Sequence, residues 1–196
     1  GCRIPDNKLA KKLITLFGLP IAAPSANLSE RTSVTNIMDI DPILVKKIFV
    51  LKDKQSSHGL ESTVVRIDTN NEIEVLRYGS ITVEELNKYA KVKIKKKSSI
   101  SPGNLKKHYS TLKPIRMNAK RILKNEGLLN FGNNKLKSKI INLNLSNKKN
   151  LNEAAKNFYH YLHKLDQSRC KKIAVVEIPD KGLGKTINDR LRRAIK

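Results

Sequence analysis

The sequence predicts an α/β protein in two parts: a twisted mixed sheet with helices, then a linker, then a small α/β domain with parallel strands. Three observations carry this. Short β-branched runs and helical apolar periods are interleaved along the first 94 residues. The stretch from Lys95 to about Pro114 turns to Lys, Ser, Pro and Gly with no apolar period, the texture of a linker. Beyond it the order strand, helix, strand, helix is that of a parallel layer. The expected boundaries are therefore 1–95, 96–114 and 115–196.

Each element has its own signal. Lys8 to Phe17 reads as a helix, with Leu9, Leu13 and Leu16 on one face, Asp6 able to cap and Gly18 to stop it. Leu19–Ala23 reads as a short buried strand and Ile48–Leu51 as a further strand. Ser62–Ile67 and Ile73–Leu76 read as a hairpin around Thr69-Asn70-Asn71. Val83–Ala90 is a helix with Thr82 as N-cap and Glu84 and Glu85 in its first turn. Val92–Ile94 is a last strand before the linker. In the second part Ile140–Leu145 and Lys172–Ile178 are strands. Leu151–Leu165 is a helix opened by Asn150 and Glu153, and Lys185–Ile195 is a final helix.

Composition bounds the function. With 196 residues there is room for one large domain or two small ones, and 39% apolar residues suffice for a core. No apolar run reaches the ~18–20 residues of a membrane span, and no basic-then-apolar leader is visible. Cys2 and Cys170 stand far apart without a CxxC spacing, which fits a reducing, cytoplasmic setting and no protein-bound metal. Residues 1–90 hold 12 basic and 11 acidic side chains, whereas residues 91–196 hold 28 basic and 6 acidic. That step points to a polyanion near the second part, tRNA or double-stranded RNA. The competing reading is an AT-rich coding bias, since 30 of the 40 basic residues are Lys. Only 5% of residues are aromatic, and no ring-rich RNA-binding strand occurs.

Candidate chemistry gathers in three places. Pro24-Ser25-Ala26-Asn27, with Ser29 and Ser33 behind, offers short donors that can cradle an anion, or form an ordinary polar turn. Gly59-Leu60-Glu61-Ser62-Thr63-Val64-Val65 puts a polar triplet at a strand mouth, as a site or as capping residues. Arg77-Tyr78-Gly79 sets a cation beside a turn, for a phosphate or a surface ion pair. Gly184-Lys185-Thr186 is no phosphate loop, because Pro179 stands where the first glycine is required. His160 and His163 share a helix face without a third ligand, and read as solvent-exposed. Asn188, Asp189 and Arg190 read as capping and pairing within the last helix.

In order and spacing, Gly1–Pro5, Pro20–Ser29, Gly59–Val65 and Arg77–Gly79 resemble the threonylcarbamoyl-AMP synthase family of the YrdC/TsaC type. Pro102-Gly103, His108-Tyr109 and the tail Gly182–Ala194 resemble its two-domain form. The resemblance implies a YrdC-like sheet followed by a small Rossmann-like domain. It implies that L-threonine, bicarbonate and ATP, with Mg2+ accompanying the ATP, give threonylcarbamoyl-AMP and pyrophosphate for tRNA threonylcarbamoyladenosine formation. By the same resemblance Arg3, Ala23 and Thr63 hold L-threonine. Ser25, Asn27, Ser33, Arg77 and Tyr109 hold the nucleotide, Tyr109 reaching over it from the linker as part of a lid. Downstream tRNA-modification proteins are implied partners, and no membrane is.

The chain departs from the family pattern at Glu30, where Gly is usual, at Val34 in place of Pro, and at Ser110-Thr111, where the Pro that often follows the His-Tyr pair is missing. The family's N-terminal portion, with its basic nucleotide-binding element and threonine loop, has no counterpart here. The chain is therefore expected to be the C-terminal part of a synthase and a poor catalyst alone, with a separate N-terminal fragment as one possible partner. The alternative functions are a non-catalytic basic RNA-binding module and a decayed fragment.

Overall fold

The computed structural model describes residues 1–23, 25–28, 30–51, 56–94 and 109–195. The expected positions Pro24, Ser29, Pro102-Gly103 and His108 lie outside the described residues, as does most of the linker. The fold is the mixed α/β arrangement that the sequence predicts, with one sheet in each part.

Helix α1 (Lys8–Phe17) opens the chain. Its N-cap is Asn7, not Asp6: the Asn7 side chain accepts from the Ala10 amide at 2.8 Å. Gly18 ends the helix in the left-handed conformation, φ 73°, donating back to the Ile14 carbonyl. A single 3-10 turn at Ile37–Asp39 and helix α2 (Pro42–Val45) follow. The first sheet is β1 (Val64–Ile67), β2 (Ile73–Arg77) and β3 (Val92–Ile94), in that order. β1 and β2 form the antiparallel hairpin, and its turn is held by the Asp68 carboxylate, which accepts the amides of Asn70 and Glu72. β3 joins β2 in parallel after helix α3 (Val83–Leu86), whose Thr82 and Glu85 form a reciprocal capping box. α3 is shorter than the sequence predicts, its last residues becoming turns.

Two expected strands do not form. Leu19–Ala23 and Ile48–Leu51 find no partner strand among the described residues, and Leu19, Ile21, Phe49 and Leu51 are exposed. An apolar run signals a preference for burial, but a strand also requires a ladder neighbour. The apolar stripe of α1 is likewise unburied.

The second sheet is fully parallel, in the order β4 (Ile115–Arg116), β7 (Lys172–Val175), β5 (Glu126–Asn130), β6 (Asn142–Asn144). Helix α4 (Leu151–Gln167) crosses from β6 to β7, and α5 (Leu183–Ala194) follows β7. β5, one of the two inner strands of this sheet, carries no clear sequence signal because it begins Glu126-Gly127. Glu126 is buried there and takes the Arg116 guanidinium at 2.8 Å. Leu128, Leu129, Ile173 and Val175 of the strands pack with Phe158, Leu162 and Leu165 of α4 and Ile187 and Leu191 of α5. Most of the buried apolar side chains lie in this second part; Leu60 is the contribution of the first part to the same cluster.

Polar pegs and close backbone contact join the parts. His160 and His163 are not solvent-exposed as expected. His160 Nδ1 lies 2.8 Å from the Asp39 carboxylate, and His163 Nε2 3.1 Å from Thr32 Oγ1. At Gly59, φ 66°, an added Cβ would sit 2.2 Å from the Ala155 carbonyl oxygen of α4. The end of the linker is stapled to the C-terminus of α4, where the Lys113 ammonium donates to the carbonyls of Leu165, Asp166 and Ser168. Cys2 and Cys170 are both free thiols. Among the described residues no helix is long and apolar enough to cross a membrane.

Glu30 adopts φ 63°, a left-handed conformation that favours glycine. This gives the departure at position 30 a physical meaning. Glu30→Gly should stabilise the protein by up to about 1 kcal/mol, a rise of roughly 2–4 °C in Tm readable by thermal melting.

Candidate substrate site at the seam of the two sheets

The entry to β1 is the focus of the site. Arg3 Nη1 donates to Ser62 Oγ at 3.1 Å, and Arg77 Nη2, from the end of β2, donates to the Ser62 carbonyl at 2.8 Å. Two guanidinium groups thus meet one residue, and such a pair of cations favours an anionic guest. Beside them Thr63 Oγ1 donates to the Ile81 carbonyl (2.6 Å) and accepts the Ile81 amide (3.0 Å). The Arg77-Tyr78-Gly79 turn packs directly on this segment: a Cβ on Gly79 would lie 2.2 Å from the Thr63 nitrogen, so only glycine fits.

Immediately before Ser62, Glu61 turns inward. Its Oε1 accepts Tyr159 Oη of α4 at 2.7 Å and also the Ser33 hydroxyl. Its Oε2 accepts Arg190 Nε of α5 at 3.0 Å. Arg190 is fully buried. Its remaining nitrogens donate to the Tyr78 carbonyl and the Asp189 carboxylate, and its face lies 4.7 Å from the Tyr109 ring centroid. Arg190 therefore pairs within its helix, as the sequence predicts for Asp189 and Arg190, and reaches across the seam as well. Burial pushes the Glu61 carboxyl up, but the Arg190 guanidinium and the Ser33 and Tyr159 hydroxyls outweigh it and hold the group below the ordinary carboxylate range. Burial raises the Tyr109 and Tyr159 phenols, so both remain protonated. Tyr109 sits at φ 64°, an unusual backbone for a bulky residue, with its ring 6.0 Å from that of Tyr159.

Asn27, Leu28, Arg31 and Thr32 form one wall of a neighbouring cleft. Asn27 Nδ2 donates to the Leu28 and Arg31 carbonyls (2.9 and 3.2 Å), fixing the turn. The turn is then tied to the linker's end: the Ser110 amide donates to the Glu30 carbonyl at 2.8 Å, and Arg31 bridges Ser110 in parallel. The cleft, of about 270 Å³, lies between Asn27, Arg31, Met38 and the α4 side chains His163 and Asp166.

The candidate residues therefore fall into three groups. Arg3, Thr63 and Arg77 converge on the Ser62 segment. Ser33 and Tyr109 lie one layer deeper, against Glu61 and Arg190. Ala23 and Ser25 are exposed, and Asn27 braces the turn that follows them. Sequence reasoning missed Glu61, Tyr159 and Arg190 as a unit. A signal existed for Arg190, which stands with Thr186, Ile187, Leu191 and Ala194 on the buried face of α5, where a charge is out of place. Among the described residues no group of three His, Cys, Asp or Glu could hold a metal ion.

Because the Glu61 pKa is lower folded than unfolded, its contribution to stability is present above pH about 4.3 and is lost as pH falls through the folded value. Denaturant titrations between pH 7 and 3 should show this acid loss, and Glu61→Gln should flatten that limb.

Comparison with known proteins places the chain. The family model described as "Threonylcarbamoyl-AMP synthase, C-terminal domain" matches residues 81–195, and the model described as "Telomere recombination" matches residues 1–79. The threonylcarbamoyl-AMP synthase of Pyrococcus abyssi is 26% identical over 220 positions, and that of Bacillus subtilis 29% identical. Each alignment covers 98% of this chain and 62% of the relative. The Schizosaccharomyces pombe synthase is 34% identical over 122 positions, 55% of this chain and 30% of its own. The crystal structure of P. abyssi Sua5 complexed with L-threonine superposes with a TM-score of 0.82 at 25% identity, over 98% of this chain and 62% of that one. The chain spans about three-fifths of the length of the Pyrococcus and Bacillus relatives. It belongs to the threonylcarbamoyl-AMP synthase family.

Proposed function

We propose that this chain carries the threonine and nucleotide contacts of an L-threonylcarbamoyladenylate synthase acting in tRNA modification. The observation that carries the reading is the meeting of Arg3 and Arg77 on Ser62, with Thr63 adjacent. A site with two guanidinium groups at one strand mouth suits a substrate pair that brings a carboxylate and a phosphate chain together.

The chemistry proceeds in two steps. The threonine amine adds to bicarbonate with loss of water, giving a carbamate. A carbamate oxygen then attacks the α-phosphorus of ATP, and pyrophosphate leaves with the electron pair of the broken P–O bond. In this reading Arg3 holds the threonine carboxylate, while the Ala23 backbone and Thr63 line its side-chain pocket. Arg77 faces the nucleotide phosphates, and Ser25, Asn27, Ser33 and Tyr109 hold the rest of the nucleotide. Mg2+ enters as part of the ATP substrate. The protein contributes positioning and charge stabilisation.

The natural protein should release pyrophosphate from ATP only when both L-threonine and bicarbonate are present, and calorimetry should detect L-threonine binding. Arg3→Ala should weaken that binding by roughly 10- to 100-fold, the loss of a charge-assisted pair of about 1.5–3 kcal/mol. Absence of threonine binding and of threonine-dependent pyrophosphate release would overturn the reading.

A polyanionic partner is the second part of the proposal, favoured by the excess of 22 positive charges in residues 91–196. tRNA should bind with an affinity that falls steeply as salt is raised, measured by filter binding between 50 and 200 mM. Affinity independent of salt would assign those charges to solvation alone.

A further inference from the structure

We propose that Arg190 and Glu61 are positioning residues of the site: a guanidinium from the last helix of the second part sets the geometry of the Ser62–Thr63 segment in the first. The proposal deepens the synthase reading, on which its kinetic readout rests.

The argument begins with the side chain in the least expected place. α5 packs a face of Thr186, Ile187, Leu191 and Ala194 into the core, and Arg190 stands on that face. A leucine there would avoid the desolvation of a charge, and buried ion pairs are poor contributors to net stability. What the arginine supplies instead is geometry. Its guanidinium has a planar fork and a flat face, and all are used. One edge takes Glu61 Oε2, another the Tyr78 carbonyl, and the face takes the Tyr109 ring. No shorter or apolar residue can hold these three at once.

Each of the three leads to the site. Glu61 is covalently next to Ser62, which receives Arg3 and Arg77. Its other oxygen takes Ser33 and Tyr159, so Ser33 and α4 are registered on the same carboxylate. Tyr78 follows Arg77 directly, so fixing the Tyr78 carbonyl limits where the Arg77 side chain starts. Tyr109 is held at φ 64° against the guanidinium face, and Ser110 beside it is tied to Glu30. Thr186, one turn before Arg190 on α5, donates to the Gly79 carbonyl at 3.0 Å and fixes the same turn from its far side. A loosened Arg190 would let the strand mouth, the Arg77 turn and Ser33 drift independently. Displacements of about 1 Å in such a frame can cost on the order of 100-fold in rate.

The test uses the full natural protein with Arg190→Lys, which keeps the charge but loses the fork and the face. Tyr159→Phe is the milder companion, removing only the hydroxyl on Glu61. Hydrogen exchange by mass spectrometry comes first, since it needs no activity. Arg190→Lys should deprotect residues 59–63 and 109–111 while α4 keeps its protection; deprotection confined to α5 would overturn the proposal. Kinetics come second, at a temperature where circular dichroism shows the variants folded. kcat/KM for L-threonine should fall at least tenfold in Arg190→Lys and about threefold in Tyr159→Phe. Wild-type kcat/KM with only a lowered Tm would show a purely structural arginine and overturn the proposal. If Arg190→Lys does not fold, Tyr159→Phe decides alone by the same two measurements. An inactive wild-type protein whose variants show the expected exchange pattern would overturn the synthase reading and leave the positioning role standing.

Discussion

Burying a guanidinium is tolerable only when every one of its polar edges is met, and this molecule is organised around meeting those of Arg190. Its partners come from four stretches far apart in sequence: Glu61, Tyr78, Tyr109 and its own neighbour Asp189. Removing one member of such a pair leaves an uncompensated charge in a poorly solvated place, at a cost of roughly 3–5 kcal/mol. The two parts of the protein therefore cannot separate cheaply. The same constraint explains why glycine is required nearby. Gly59 and Gly79 let backbone approach backbone so closely that Glu61 is brought to the depth where Arg190 can reach it.

Stability is unevenly shared between the two parts. The second has a parallel sheet with α4 and α5 packed into one apolar cluster, and would be expected to unfold last. The first leans on it, and on the linker's end, through polar contacts such as His160 with Asp39, His163 with Thr32, Ser110 with Glu30, and Arg190 with Glu61. Of the described residues among the first 51, Thr32 alone is buried. Geometry in this part is consequently set by directional hydrogen bonds more than by packing, so loss of a single directional partner can displace several candidate residues together.

How much of this was legible in the sequence depended on the range of the interaction. Local signals read well. Gly18 ends α1, Thr82 and Glu85 box the start of α3, Asn150 caps α4, and the Asp68–Glu72 turn makes a hairpin, all from interactions spanning a few residues. Signals that needed a distant neighbour did not. Leu19–Ala23 looked like a strand because apolar content says nothing about a ladder partner. β5 carries little signal of its own because it begins Glu126-Gly127, and Glu126 finds its partner Arg116 only in the folded sheet. His160 and His163 looked solvated because Asp39 and Thr32 are more than 120 positions away. In the site, Thr63 and Arg77 stand out by residue type at a strand mouth and beside a turn, and Arg3 only through the family resemblance, whereas Glu61 reads as one of a polar triplet, site or cap, and Arg190 as pairing within its own helix.

That division bears on why the tail Gly182–Ala194 is so informative a stretch of sequence. Gly184 must be glycine because a Cβ would lie 2.0 Å from the Pro179 carbonyl oxygen, which lets α5 start tight against the end of the preceding segment. Asn188 donates to the Ile178 carbonyl at 2.9 Å and to Asp180, locking that start. Asp189 takes both Arg190 and Arg193, orienting the first toward the seam. Thr186 and Arg190, four residues apart and so on one face of the helix, then address Gly79 and Tyr78. A stretch that looks like a basic surface helix is a device for presenting one hydroxyl and one guanidinium to another part of the chain at fixed spacing. Its sequence is restrictive because its targets are backbone carbonyls and a carboxylate, which accept only from narrow directions, and an apolar face would have tolerated many sequences.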